Sequence, residues 1–340
     1  MRAARKRRGP PAMPLRVLLA NPRGFCAGVD RAVTTVERAL DAWGPPVYVR
    51  RQVVHNRRVV EELEARGAIF VESELDVPAN SRLVLAAHGV PPEVYANAAE
   101  RNLLTIDTTC PLVRKVHAEV KSFATRGCTV VVVGHAGHDE VVGTAAQAPH
   151  AVVVVGTAEQ ASAVELPEGS ELAFVTQTTL SVDDTAHIIA ILRARYPQIV
   201  GPRTADICYA TTNRQKAVKR LLELVDVVVV AGSRESSNSN RLAETARAGG
   251  VPAWLVEDER ALDEGMFRGC DAVGVTSGAS TPEDSVMAIC DWFRERGVTD
   301  ISDLTAEQDE DVVFRLPSQV LRRDASPPRS DDAGVSTPAA

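Results

Sequence analysis

Thr129-Val-Val-Val-Val133-Gly-His-Ala-Gly-His138-Asp-Glu140-Val141 decides the fold: a β-branched strand runs into a polar glycine turn and then into an acidic first helical turn. Unbroken valine runs suit strands covered on both faces, which is the environment of a parallel sheet. The same grammar recurs in Val152 to Val155 and Val227 to Val230. It recurs again where Val17 to Ala20 precedes a helix from Asp30, Arg82 to Ala87 precedes Pro91 to Arg101, and Asp271 to Val275 precedes a helix from Pro282. A helix from Asp139 to Gln147 completes the opening unit. Strict alternation of this kind predicts βαβ units, and so an α/β protein built on small parallel sheets.

The 340 residues, 45 % of them hydrophobic, suffice for two or three compact domains. A net charge of −7 argues against a nucleic-acid partner, which needs a basic face. The apolar runs fall far short of the roughly 20 residues that span a bilayer, and no secretion signal is evident, so a cytoplasmic protein without a membrane partner is expected. The basic start, Met1 to Pro10, reads as a solvated tail, with a tether as the lesser reading and Met13 as an alternative start. Residues 1–14 and 317–340 are both expected to be disordered tails.

Six cysteines, at 26, 110, 128, 208, 270 and 290, form no CxxC pair. Three of them occupy the same place in a weak threefold repeat, after a short strand and before a helix: Cys26 in Asn21 to Val33, Cys110 in Asp107 to Lys115, and Cys208 in Asp206 to Asn213. Pro111 suits a first helical turn. Polar residues follow at matching distances. His55 and His88 lie 29 and 62 residues after Cys26, and His138 and Thr178 lie 28 and 68 after Cys110. Ser236, Asn238 and Ser280 lie 28, 30 and 72 after Cys208. Three similar α/β lobes with pseudo-threefold symmetry would bring these groups together at strand carboxyl ends, where open parallel sheets place their ligands. Cys128, Cys270 and Cys290 fall outside the repeat and read as buried hydrophobes.

Three converging thiolates admit three readings: a cubane iron–sulfur cluster with one iron free of protein, a structural zinc completed by a histidine, or three unrelated buried thiols. The separations, 84 residues from Cys26 to Cys110 and 98 from there to Cys208, differ from the short CxxC hairpins of structural zinc. His55, His88 and Ser236-Ser237-Asn238 stand between strands and helices, where free N–H groups favour phosphate. Taken singly, each is also an ordinary turn, packing or capping residue. No Walker A or dinucleotide glycine pattern accompanies them. His138 and Glu140 would stand near the second thiol, suited either to proton delivery or simply to an acidic first helical turn.

Eight motifs together carry a resemblance: Pro22 to Val29, Ala87 to Val90, Asp107 to Pro111, Gly134 to Gly143, Thr176 to Ser181, Ile207 to Gln215, Gly232 to Leu242 and Thr276 to Pro282. The chain resembles the 4-hydroxy-3-methylbut-2-enyl diphosphate reductase family from about Val17 to Leu316. The resemblance implies a strand within 15–26 that joins the third lobe, and lobes at 27–110, 111–204 and 205–316 around a central cluster. It implies one [4Fe-4S] cluster held by Cys26, Cys110 and Cys208. The diphosphate would be gripped by His55, His88, Ser236, Ser237, Asn238 and Ser280, with His138, Thr178 and Glu140 around the hydroxymethyl end and Glu140 supplying protons.

The implied reaction removes the hydroxyl of an allylic diphosphate by two-electron reduction to isopentenyl and dimethylallyl diphosphates, with a one-electron donor such as ferredoxin or flavodoxin as partner. Asp139 stands where relatives commonly have proline. A non-catalytic, metal-stabilised module that captures a phosphorylated ligand is the rival from another class.

Overall fold

Valine-rich strands need apolar cover on both sides, and the computed structural model, which describes residues 13–14, 16–167, 169–305 and 310–321, supplies it three times over. One sheet has the strand order Ala253–Val256, Val227–Ala231, Ala272–Ser277, Arg16–Leu19, Asp300–Asp303. A second runs Ala68–Val71, Val47–Arg50, Arg82–Leu85, Leu104–Asp107, and a third Val152–Val155, Thr129–Val133, Leu172–Thr176. All the pairings between these strands are parallel. The fold is thus α/β with three small parallel sheets, consistent with a pseudo-threefold arrangement.

The period of two along each strand divides its residues between two cores. In the third sheet Val131 and Val133 face the cluster that contains Leu192 of helix Val182–Arg195, while Val130 and Val132 face Val116 and Val120 of helix Pro111–Thr125. In the first, Val227 and Val229 meet Ile289 and Phe293 of helix Glu283–Glu295, whereas Val228 and Val230 meet Leu221 and Leu242 on the opposite face. Among the described residues no helix is long and apolar enough to cross a membrane.

Element boundaries differ from expectation in two places that matter. The first helix begins at Ala27 rather than Asp30, because Cys26 itself is the cap. The expected C-terminal tail is ordered at its start: Ser318–Leu321 is a short helix, and Val320 is buried in the core beneath helix Ala27–Trp43 together with Leu316. A lone apolar residue in a proline- and serine-rich stretch has no period to betray it. At the other end Pro14 is buried and Met13 packs on the first sheet's core, although residues 1–14 read as a tail. Residues 1–12 and 322–340 lie outside the described residues. Cys128 and Cys290 are buried as expected, and Cys270 is partly so.

Two arginines fasten the segment from Glu310 onward. Fully buried Arg214 pairs through Nη1 with Glu310 Oε2 at 3.0 Å and donates through Nη2 to the carbonyl of Gly24 at 2.9 Å. Arg31 donates to the carbonyls of Arg315 at 2.8 Å and Asp107 at 3.3 Å. Burying a valine contributes about 2 kcal/mol, and an unpaired carboxylate there adds a further cost. Val320→Asp should therefore lower the urea midpoint by an amount equivalent to at least about 2 kcal/mol; an unchanged midpoint would show that the Ser318–Leu321 helix contributes nothing.

Candidate active site

Two sheets hand the chain to a helix directly through a cysteine, at Cys26 and Cys110; Cys208, expected after a short strand, instead follows helix Val182–Arg195 and a single bridge at Val200 beside the third sheet. Cys26 caps helix Ala27–Trp43, Cys110 caps Pro111–Thr125 and Cys208 caps Tyr209–Leu221. Their backbone N–H groups are fixed in a threefold way too. Cys26 N donates to Ala279 O at 3.1 Å, Cys110 N to Ala87 O at 3.0 Å and Cys208 N to Thr178 O at 3.0 Å. Those carbonyls belong to the loops that carry Ser280, His88 and Thr178, so the hydrogen bond that places each sulfur also places a polar group beside it.

A second ring lies one helix further on. Asn56, beside His55, caps helix Arg57–Ala65; His138 caps Asp139–Ala145; and Ser236 caps Ser237–Ala248. His138 Nδ1 accepts from Glu140 N at 3.1 Å, which fixes the ring that faces the cavity. Asp139 occupies the first helical position, where proline or an acid both fit, and its carboxylate is ion-paired with Arg51.

Every residue singled out in the sequence lines one cavity: Cys26, Cys110, Cys208, His55, His88, His138, Glu140, Thr178, Ser236, Ser237, Asn238 and Ser280. His55 and His88 stack with ring centroids 4.2 Å apart, and His138 stands edge-on at 5.5 and 5.9 Å from them. Both ring nitrogens of His55 and Nδ1 of His88 are buried without a hydrogen-bond partner. Ser280 Oγ donates to the His55 carbonyl at 3.2 Å and lies 3.4 Å from Ser236 Oγ. Cys128, Cys270 and Cys290 are not in this cavity.

Burial dominates the electrostatics. It holds His88 well below its ordinary value, helped by the neighbouring His55 and His138, lowers His55, and pushes His138 down to about 4. These rings are therefore neutral near pH 7. Glu140 behaves oppositely: burial pushes it up to about 7, against two hydrogen bonds from Thr178, N to Oε1 at 2.7 Å and Oγ1 to Oε2 at 3.0 Å. A carboxyl half-protonated at neutral pH and held by two donors is suited to giving up a proton.

The thiols fit a cluster. A methyl placed on Gly28 would lie 2.8 Å from Cys110 Sγ and 3.8 Å from Cys26 Sγ, so both sulfurs border the small space that only glycine leaves open. Burial pushes Cys110 up to about 12 and Cys208 to about 11, which makes them poor nucleophiles alone. Bound iron would deprotonate them. The three sulfurs do not all come within 4.8 Å of one another; among the described residues His55, His88 and Asp139 do. Ligands of one tetrahedral zinc at about 2.3 Å would be closer together, roughly 3.8 Å. The wider spacing fits several irons.

A family model described as LytB protein matches residues 17–294. A 4-hydroxy-3-methylbut-2-enyl diphosphate reductase from Acidothermus cellulolyticus is 52 % identical over 314 residues, 92 % of each chain. The chain belongs to the LytB family. Another LytB-type relative of the same name, from Mycobacterium leprae, is 50 % identical over 90 % of this chain and 92 % of its own. The solved (E)-1-hydroxy-2-methyl-but-2-enyl-4-diphosphate reductase of Plasmodium falciparum superposes with a TM-score of 0.88 at 36 % identity, covering 91 % of this chain and 97 % of that one. A second solved structure, (E)-4-hydroxy-3-methyl-but-2-enyl diphosphate reductase, the terminal enzyme of the non-mevalonate pathway, gives 0.60 at 30 % identity over 83 % of this chain and 99 % of its own.

Sequence reasoning missed Tyr209, Thr211 and Phe314, which also line the cavity. Tyr209 Oη accepts from Ala27 N at 3.2 Å and so links two of the caps. Aligning the three repeats on their cysteines would have exposed Thr211 opposite Val29 and Val113. Phe314 carried no local signal, because it reaches the site through a segment with no regular structure.

The histidine cluster sets a pH dependence. Each folded value lies below the ordinary 6.5, so the unfolded chain takes up protons first as pH falls. That part of the stability is whole above about 6.5 and is lost towards about 4. Urea midpoints should fall between pH 7 and pH 5, and fall less steeply in His88→Gln. Equal slopes for the two proteins would show that His88 is not held neutral.

Proposed function

We propose that this chain reductively dehydroxylates (E)-4-hydroxy-3-methylbut-2-enyl diphosphate to isopentenyl and dimethylallyl diphosphates, the terminal step of the non-mevalonate pathway, at a [4Fe-4S] cluster held by Cys26, Cys110 and Cys208. The observation that carries this reading is the convergence of those three cysteines with Glu140 and the histidine cluster on a single cavity. A cluster with three protein ligands supplies a Lewis-acidic iron for the alcohol oxygen and passes electrons one at a time.

The protein's own groups do the rest. His55, His88, Ser236, Ser237, Asn238 and Ser280 hold the diphosphate by directional hydrogen bonds, and the unpartnered nitrogens of His55 and His88 are waiting donors or acceptors. An arriving anion favours the protonated imidazoles, so binding draws protons into the histidine cluster. Thr178 and His138 flank the hydroxymethyl end, and Thr178 keeps the Glu140 carboxyl aimed at it. The balance is simple. The C–O bond breaks, two electrons enter, one proton leaves with the hydroxyl as water, and a second adds to either end of the allyl system. Glu140 supplies the first of these protons.

A one-electron donor such as ferredoxin or flavodoxin is the implied partner, and the cytoplasm the implied compartment. The rival, a module that only binds a phosphorylated ligand, gives Glu140 no task.

Assayed anaerobically with a chemical one-electron reductant, Glu140→Gln should lose turnover by about 10²-fold or more while binding the diphosphate almost as wild type. In the wild type, turnover should decline as pH rises through about 7, where Glu140 loses its proton. Normal turnover in Glu140→Gln would remove this residue from proton supply. Absent turnover in the wild type, with the diphosphate still bound, would favour the module.

A further inference from the structure

The three cysteine caps share a backbone plan, and at the third position after the sulfur two of them carry the same residue while the third does not. Three residues after each sulfur stand Val29, Val113 and Thr211, and all three border the cavity. In the third helical position a side chain leans back towards the cap. At two of the corners that side chain is a valine and offers only methyl groups, although Cys110 also takes backbone hydrogen bonds from Leu112 and Val113. The third replaces a methyl with a hydroxyl of nearly the same size.

Thr211 has no exposed surface. Its N–H donates to Cys208 Sγ at 3.4 Å, and its Oγ1 lies 3.2 Å from the same sulfur. The direction of that hydroxyl follows from its other neighbour. Asn238 Oδ1 accepts from Ala279 N at 2.9 Å; a backbone N–H can only donate, so the opposite end of the amide, Nδ2, is what reaches Thr211 Oγ1 at 3.1 Å. The thiol donates to Oγ1, but a thiolate can only accept, so once Cys208 is deprotonated the Thr211 hydroxyl, still accepting from Asn238, turns its own hydrogen to the sulfur.

We propose that Thr211 is a positioning residue for Cys208, donating its hydroxyl hydrogen to the thiolate so that one corner of the cluster site differs electronically from the other two. Through Asn238 the same hydrogen-bond chain runs from the diphosphate end of the cavity to that sulfur. The proposal rests on the cluster reading of the three cysteines. A hydrogen bond to a ligand sulfur withdraws negative charge and favours the reduced state, which raises the reduction potential. The usual employment of a helical threonine is different: Thr35, Thr125 and Thr245 each donate to the carbonyl four residues earlier, at 2.6, 2.8 and 2.7 Å. Thr211 stands too near its helix start for that bond, because four residues back lies outside the helix.

The test is an anaerobic, dye-mediated potentiometric titration of the full-length holoenzyme, read by electron paramagnetic resonance. Thr211→Val installs the residue that the fold already uses at the other two corners. With iron and sulfide content unchanged, it should move the midpoint to more negative potential and lower the reduction equilibrium constant about tenfold, equivalent to 59 mV for one electron. Thr211→Ser, which keeps the hydroxyl, should stay at the wild-type midpoint. A fully loaded Thr211→Val at the wild-type potential would overturn the proposal. Should that variant load poorly, Thr211→Ala carries the same measurement, and an unshifted midpoint there overturns it equally. A wild type that holds no iron and sulfide counts against the cluster reading, not against the hydrogen bond.

Discussion

Three helix N-termini aim at one point, and the architecture follows from what must stand there. Each first turn presents free N–H groups and the positive end of a helix dipole, and each is capped by a sulfur. Buried thiols whose titration has been pushed far up do not ionise unaided. Free N–H groups at those N-termini favour the thiolate form that a bound iron–sulfur cluster would require of the three cysteines. The cysteine N–H groups are tied to neighbouring strand-end loops, Cys26 to Ala279 and Cys110 to Ala87 beside adjacent strands of one sheet, and Cys208 to Thr178 across to the sheet that ends at Thr176. Further out, Arg31 ties helix Ala27–Trp43 to the carbonyls of Arg315 and Asp107, and Arg214 ties helix Tyr209–Leu221 to the carbonyl of Gly24 and to Glu310.

Burial then acts on the two kinds of titratable group in opposite directions, and this divides the labour within the cavity. It keeps the imidazoles neutral until an anion arrives, and it keeps Glu140 partly protonated beside them. One desolvated pocket thus creates both a recognition end and a proton-giving end. No lysine lines it. On the proposed reading, an allylic diphosphate would be seated by directional bonds while its hydroxyl end would meet Glu140 and the cluster held by the three cysteines.

Most of this was legible in the sequence because the informative residues are local. The valine runs fixed the sheets, since such runs tolerate nothing but two covered faces. The cysteines and their polar followers were legible because each stands at a strand end or helix cap, where backbone geometry demands particular residue types, and the threefold spacing multiplied a weak signal. The start of the first helix was misjudged by three residues because cysteine is not a customary cap. Val320 and Phe314 stayed hidden for another reason: both act through long-range contacts made by an irregular segment, and no period or motif records such contacts. Thr211 lay between these cases, visible only once the repeats are overlaid.

Whether three distant thiols hold one iron–sulfur cubane is decided by counting iron and acid-labile sulfide, with a visible absorption spectrum, on protein purified without oxygen. The protein should be brown, with four irons and four sulfides per chain, and should lose both in Cys26→Ser, Cys110→Ser and Cys208→Ser. Stoichiometric zinc without labile sulfide, or a full cluster retained in any of those three variants, would contradict it.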